Sequence, residues 1–484
     1  MTTIKLDPGA ALLLDALHGA GHAAYAVGGC VRDSLLGLDP HDWDLCTSAR
    51  PEQVMALFGE EKCIPTGLQH GTVTVKQGGR LYETTTFRTE GAYSDGRHPD
   101  AVCFVPDVRE DLARRDFTIN AMAYSAEEGL IDPFGGRDDL AAHLVRAVGE
   151  PERRFEEDAL RILRLYRFAA RFGFAIDPAT GAAARALGPH LDCVSAERIQ
   201  EELLKLLAAP RPGSYLEPAV LAVILPELEP EKQPGRFAEL CRTIDRIEPT
   251  AENVPARLAA LLWPLGEAGA RKALRKLKCS NALTDEVTAL EREAGGGAGS
   301  FLLGHEFELR HPADALCLER HSHPAGRCPN SNSLFPPQAA VVAVAGHSIA
   351  RPIACGNRVP PQRTVLGETL GTPNTTLTVQ AKRLLGRYEL PTIQRLTALC
   401  SARHPEQTGA FAALRAEAEQ LTAENACCRV SQLAVNGRDL MAAGVRPGPG
   451  LRQVLNALLE AVITGQTPNE KDALLAAAAQ FSAS

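Results

Sequence analysis

The chain has 484 residues, with 51 basic and 59 acidic side chains and a formal charge of −8. Its content of 45% apolar, 23% charged and 5% aromatic residues is that of a soluble globular protein with an aliphatic core, which excludes collagen-like, disulfide-scaffold and wholly disordered classes. No apolar run approaches the ~18 residues of a membrane helix, and 13 cysteines without CxxC pairing read as reduced thiols of a cytoplasmic protein.

Asp7, His18 and Gly19 interrupt the first apolar stretch, so it reads as no signal peptide. Instead, Leu6, Leu13, Leu14 and Leu17 share one stripe and predict a helix over 5–20. Ala23 to Val27 predicts a short strand ending at Gly28-Gly29, Val31 to Leu36 a helix, and Asp42 to Leu45 the start of a second strand. GTVTVK (71–76) and LYETTTF (81–87) alternate with the period of half-buried strands, joined by the hairpin turn QGGR. Further strands are expected at 101–105 and 130–132, around a helix at 116–125.

Beyond Gly149-Glu150-Pro151 the strand signals vanish. Helical patterns cover 153–174, 180–188, 195–209, 215–225, 236–246, 254–263, 267–278 and about 376–482. Residues 295–375, opened by GGGAG, lack lysine and are rich in proline, histidine and cysteine. Such a segment buries no continuous face and reads as an irregular insertion of unassigned role. The expected fold class is α+β: a small mixed-sheet head (1–150), then an all-α neck (151–214), body (215–294) and tail (376–484) on either side of the insertion.

Two constellations carry chemistry. In the first, a strand runs into Gly28-Gly29 and opens a helix bearing Arg32, which brings backbone N–H groups and a guanidinium fork toward a phosphate. Asp42 and Asp44, two residues apart on a strand, point to one face. Paired carboxylates repel unless a cation lies between them, and Mg²⁺ takes one or two carboxylates together with substrate phosphates. A two-metal arrangement activates an attacking hydroxyl and stabilises a pyrophosphate leaving group. Glu83 is a candidate third carboxylate. Each motif alone also suits a turn and a solvated strand end; together, at this spacing, they favour a site for a metal and a phosphate over that reading.

The strings GGCVRDSLLG, DWDL, ETTTFR, LARRDFTINAMA, IDPFGGRDDL and EDALRILRLYRFAARFGF resemble the class II tRNA nucleotidyltransferases and their bacterial poly(A) polymerase relatives, within the polymerase-β-like superfamily. The match runs in order from about residue 22 to 230, and the tail string LAVNGRDLMAAGVRPGPGLRQVLNALLEAVITGQTPNEKDAL extends it. The resemblance implies a polymerase-β-like head, Mg²⁺ as cofactor, and template-independent addition of CCA to tRNA from CTP and ATP, with pyrophosphate released. It also implies that the tail takes part in holding tRNA.

The second constellation lies in residues 156–172, where Asp158, Arg161, Arg164 and Arg167 recur every three positions and wind across one helix face. Taken alone, this is a charged helix with an Asp–Arg pair worth ~0.3–0.5 kcal/mol. Beside a nucleotide site it becomes a base reader. A carboxylate accepts from the amino group of cytosine or adenine while a guanidinium donates to the adjacent ring nitrogen; guanine and uracil present the opposite groups. The resemblance implies this role for Asp158 and Arg161, and nucleotide contacts for Arg164, Arg167 and Arg115. It further implies that Asp116 and Asn120 orient the ribose, with structural capping a close alternative for both.

Two other functions share these motifs: a poly(A) polymerase or a partial CC- or A-adding enzyme, and a catalytically inactive RNA-binding protein, against which the intact motifs count. RLAALLWPLGEAGARKALRKL contains no His-Asp pair where many relatives carry a phosphohydrolase domain, so no such activity is expected. His305, His311, His321, His323, Cys317 and Cys328 match no zinc-ligand spacing. The charge of −8 weighs against a polyanionic partner only as an average, since RNA needs only a local basic track. Lys272, Arg275, Lys276 and Lys278 form such a cluster, equally readable as a solvated helix face. The oligomeric state is not legible.

Overall fold

The computed structural model describes residues 3–90, 102–295 and 374–481. The expected insertion, with its histidines and cysteines, therefore lies almost wholly outside the described residues.

In the head, α1 (Pro8–Gly19), β1 (Ala24–Val27), α2 (Gly29–Leu35), β2 (Leu45–Thr47), α3 (Pro51–Phe58), β3 (Cys63–Gly67), β4 (Thr72–Gln77) and β5 (Arg80–Thr86) follow in order. Then come β6 (Arg88–Glu90), β7 (Val102–Phe104), α4 (Val108–Ala113), β8 (Ala123–Ser125), β9 (Gly129–Ile131), α5 (Gly136–Ala141) and β10 (Leu144–Val145). Seven strands form one sheet in the order β3-β4-β5-β2-β1-β8-β9, and β6 pairs with β7 in a separate hairpin. Only β2 and β5 run parallel, so the sheet is mixed. All four residues of β1 are buried, which explains its unbroken apolar run at the sheet centre. Leu13, Leu14 and Leu17 of α1 are buried in the same core, and Asp7 caps that helix by accepting from Gly9 and Ala10 N–H. Gly78 and Gly79 both adopt positive φ between β4 and β5, as a two-residue hairpin turn requires.

Four expectations need correction. The helix expected at 116–125 is a single 3-10 turn, Thr118–Asn120, followed by β8. All of residues 116–125 are buried, Asp116, Thr118 and Asn120 included, so the polar residues mark no solvent face of a helix, and β8 is needed to pair with β1. Asp116 meanwhile accepts from Phe117 N–H and Asn120, local bonds that compete with a helix. The strand expected from Asp42 begins only at Leu45, although Asp44 C=O already accepts from Val27 N–H. The helix expected over 153–174 breaks at Asp158, whose backbone is extended, into α6 (Pro151–Glu157) and α7 (Leu160–Phe172). Lastly, strand signal does not end with the head: β11 (Ala175–Ile176) returns to pair with β10.

The remaining described chain is helical: α8 (Pro178–Ala186), α9 (Ala196–Leu207), α10 (Pro218–Ile224), α11 (Pro234–Arg246), α12 (Val254–Leu262), α13 (Gly266–Lys276) and α14 (Asn281–Ala294), then α15 (Asn374–Arg387), α16 (Leu390–Arg403), α17 (Thr408–Ala423), α18 (Gly437–Ala442), α19 (Pro449–Ile463) and α20 (Lys471–Phe481). The helix α14, capped by Ser280, is one the sequence patterns missed. One aliphatic core runs from the head through α17, because α16 packs on both α12 and α14. A separate core starts at Leu433 and is built from α18, α19 and α20.

Candidate active site

The glycine turn and the aspartate pair meet at one end of the sheet. Gly28 follows β1 with φ 77° and ψ −123°, a conformation essentially confined to glycine. A Cβ there would also lie 2.8 Å from an Arg115 guanidinium nitrogen. Gly28 N–H donates to Met122 C=O, which ties the turn to the start of β8, and Gly29 begins α2. Arg115 Nε is buried without a hydrogen-bond partner, while its Nη2 lies 3.4 Å from Asp111.

Asp42 and Asp44 are exposed on either side of the buried Trp43, so the two-residue alternation holds although the strand proper starts later. The parallel register Leu45↔Thr84 brings Asp44 alongside the exposed Glu83. Surrounding protein mass desolvates the Asp44 carboxylate and raises its pKa, the negative charges of Glu83 and Asp42 add to this, and Arg115 opposes it. Among the described residues no three His, Cys, Asp or Glu side chains converge into a complete metal cage. Two open, mutually repelling aspartates fit a hard cation that fills its shell with substrate phosphates, and Mg²⁺ binds in that way.

Behind this cleft the head and neck share a polar network. Arg32 is buried; its Nε donates to Asp33 at 2.7 Å and its Nη1 to Asn120 Oδ1. Asn120 Nδ2 donates to Asp116 at 2.9 Å, and Arg164 clasps the other Asp116 oxygen through Nε and Nη2 at 2.9 and 2.6 Å. Burial opposes ionisation of Asp116, but Arg164 and the Asn120 bond outweigh it and hold the carboxyl at about 2. Glu202 of α9 accepts from Arg167 Nε and lies 3.9 Å from Arg164, and Arg171 reaches Asp33. Phe168 packs beneath Arg167, Arg32 and Arg164, with ring centroids 4.0, 5.3 and 5.4 Å from the guanidinium carbons.

The expected base-reading pair is not assembled. Asp158 sits at the break between α6 and α7, where it accepts from Leu160 N–H and from both terminal nitrogens of Arg198 at 3.2 and 2.8 Å. Arg161 instead donates to Glu157 at 2.7 Å and to the carbonyls of Arg154 and Arg114. The structure thus gathers Gly28, Gly29, Arg115, Asp42, Asp44 and Glu83 at the sheet end, and Arg32, Asp116, Asn120, Arg164 and Arg167 behind it. It holds Asp158 and Arg161 on separate partners. Residues missed in the sequence are Arg198, Glu157 and Glu202. Glu202 was findable: with Ile199, Leu203 and Leu206 it lies on the buried stripe of α9, and a carboxylate in an apolar stripe implies a buried partner.

Residues 24–146 match the family described as the poly A polymerase head domain, 173–232 a probable RNA and SrmB-binding site of polymerase A, and 387–478 a putative second domain of tRNA nucleotidyltransferases. The CCA-adding enzyme of Lactiplantibacillus plantarum is 33% identical over 466 residues, 96% of this chain and 93% of that one. That of Limosilactobacillus fermentum is 33% identical over 475 residues, 97% and 96% of the two chains. Among solved structures, the Bacillus stearothermophilus CCA-adding enzyme in complex with CTP superposes with a TM-score of 0.69 at 30% identity, covering 98% of each chain. The Thermotoga maritima CCA-adding enzyme complexed with tRNA_CCA shares the fold, with a TM-score of 0.58 at 19% identity.

Proposed function

The chain belongs to the CCA-adding enzyme family of tRNA nucleotidyltransferases, and from that premise we propose how its residues build a CCA end on a tRNA 3′ terminus from CTP and ATP. The observation that carries this reading is the exposed Asp42/Asp44 pair beside Glu83 and Arg115 at the glycine turn. The chemistry is in-line attack of the terminal 3′-hydroxyl on the α-phosphate, with pyrophosphate leaving. It asks the protein chiefly for positioning and charge neutralisation.

Asp42 and Asp44 would hold Mg²⁺, which when bound offsets phosphate charge and acidifies the attacking hydroxyl. Arg115 would meet the triphosphate beside Gly28, whose missing Cβ leaves room for its Nη1. Asp116 and Asn120, fixed by Arg164 and Arg32, present a rigid polar wall to the sugar. Asp158 accepts the amino group common to cytosine and adenine, and Arg161 exchanges Glu157 for the ring nitrogen of the base. Guanine and uracil would leave both charges facing the wrong groups.

We place the protein in the cytoplasm, where tRNA substrates and reduced thiols coexist; the described cysteines are all free. No helix among the described residues is long and apolar enough to cross a membrane. The head and neck also match poly(A) polymerase descriptions, which keeps long-tract adenylation as the second reading. Incubating the protein with tRNA lacking its end separates the two. Addition of two C residues from CTP, and of one further A when ATP is present, supports CCA synthesis; long A tracts from ATP alone overturn it.

A further inference from the structure

Resting on the reading that the substrate is tRNA, we infer that the solvent face of α13 is a docking surface for the sugar-phosphate backbone of that RNA. Lys272, Arg275 and Lys276 stand at i, i+3 and i+4, so they share one stripe of the helix, and all three are exposed. The opposite stripe, Ala270, Ala273 and Leu274, is buried in the body, which fixes the orientation of the basic face. Among the described residues none of the three cations has an acidic side chain within ion-pair distance. The neighbouring charges are already matched: Arg271 binds Asp285, Arg292 binds Glu267, and Lys278 binds Glu197. In a chain carrying −8 overall, three adjacent positive charges on one helix face thus stay uncompensated by any described residue. A cation near a helix C-terminus is favoured by the dipole, but that effect fades within the last turn and does not account for Lys272.

The position of the face adds the second argument. Lys278 follows the helix with φ 55° and reaches 2.7 Å to Glu197 on α9. The next residue of α9 is Arg198, which clasps Asp158, and one turn further Glu202 holds Arg167. The basic face of the body is therefore tied by one ion pair to the helix that braces the proposed nucleotide site. The end of α13 thus adjoins the helix that braces that site, where an RNA whose 3′ end is being extended must also lie. Double-helical RNA is recognised largely by shape and phosphate contacts, and rows of Lys and Arg supply the latter.

The test uses the full chain with Lys272→Gln, Arg275→Gln and Lys276→Gln combined, all at exposed positions. Affinity for tRNA lacking its CCA end is measured across a salt series, alongside KM for CTP at saturating tRNA. Loss of three phosphate contacts should weaken binding about tenfold or more near 0.1 M salt and reduce the slope of log K against log salt by roughly two to three. KM for CTP should stay at the wild-type value. An unchanged slope and affinity overturn the inference, as does a rise in KM for CTP with tRNA affinity intact. Failure of the wild-type chain itself to bind or extend tRNA overturns instead the functional reading beneath it.

Discussion

The head and the neck both carry charged side chains at the site but handle them in opposite ways. In the head, Asp42, Asp44 and Glu83 remain exposed, without cationic clamps, and repel one another. In the neck, Asp158, Arg161, Arg164 and Arg167 are each held by a protein partner, and Glu202 is buried to do so. On the proposed reading the head would gain stability from an arriving cation and phosphates. The neck would, on the same reading, give up an internal bond to read a base, and discrimination there would be a competition between substrate and protein partners.

The most severe break in this contrast should come from Asp44→Asn. It removes charge from the exposed pair, so CMP incorporation should fall on the order of a thousandfold. Because the carboxylate is exposed and self-repelling, the urea midpoint should not drop; a clear drop would mean that Asp44 is structural. In the neck the outcome should reverse. Glu202→Ala leaves Arg167 and Arg164 facing a buried gap and should cost about 3 kcal/mol in urea unfolding. A loss under ~1 kcal/mol would show these arginines to be satisfied by solvent.

Glu291 separates burial from pairing. It is buried in the body with both carboxylate oxygens unpartnered, and burial first, then Glu267, pushes it up to about 8. The native state therefore keeps a proton that the unfolded chain releases near pH 4.5, so stability should fall as pH rises from there to about 8. Glu291→Gln should flatten that slope and stabilise the protein at pH 8 by on the order of 2 kcal/mol. An unaltered pH–stability curve would place the titration elsewhere. The smallest effect is expected from Glu157→Gln, which weakens the hold on Arg161. KM for CTP and ATP should fall about fivefold, worth ~1 kcal/mol; an increase would make Glu157 part of the reader rather than its competitor.

The glycine turn, its flanking strand and the β4–β5 hairpin were legible because period-two alternation, the Gly78-Gly79 turn and the β1 glycine pair each impose one local geometry, whereas α3, β3, α4 and α5 were not read. The run Asp116 to Ser125 was not legible either, since its polar residues are buried along with the apolar ones and their spacing does not report a solvent face. The residues of the proposed site carried clear signals. Their partners did not: Arg198 lies 40 positions from Asp158, and Glu202 lies 35 from Arg167.

Local chemistry in the chain was enough to settle the mixed α+β organisation and the family, and to propose the residue types of the site. Asp-x-Asp on an extended segment and glycine at a positive-φ turn mean much the same in any surroundings. Tertiary structure alone decided which charges remain free. Asp44 is crowded by Glu83 through a parallel strand register, Asp158 and Arg161 are drawn apart by α9 and α6, and α13 is turned so that its cations face water. Pairing of charges depends on contacts between elements distant in sequence, and no local pattern encodes those.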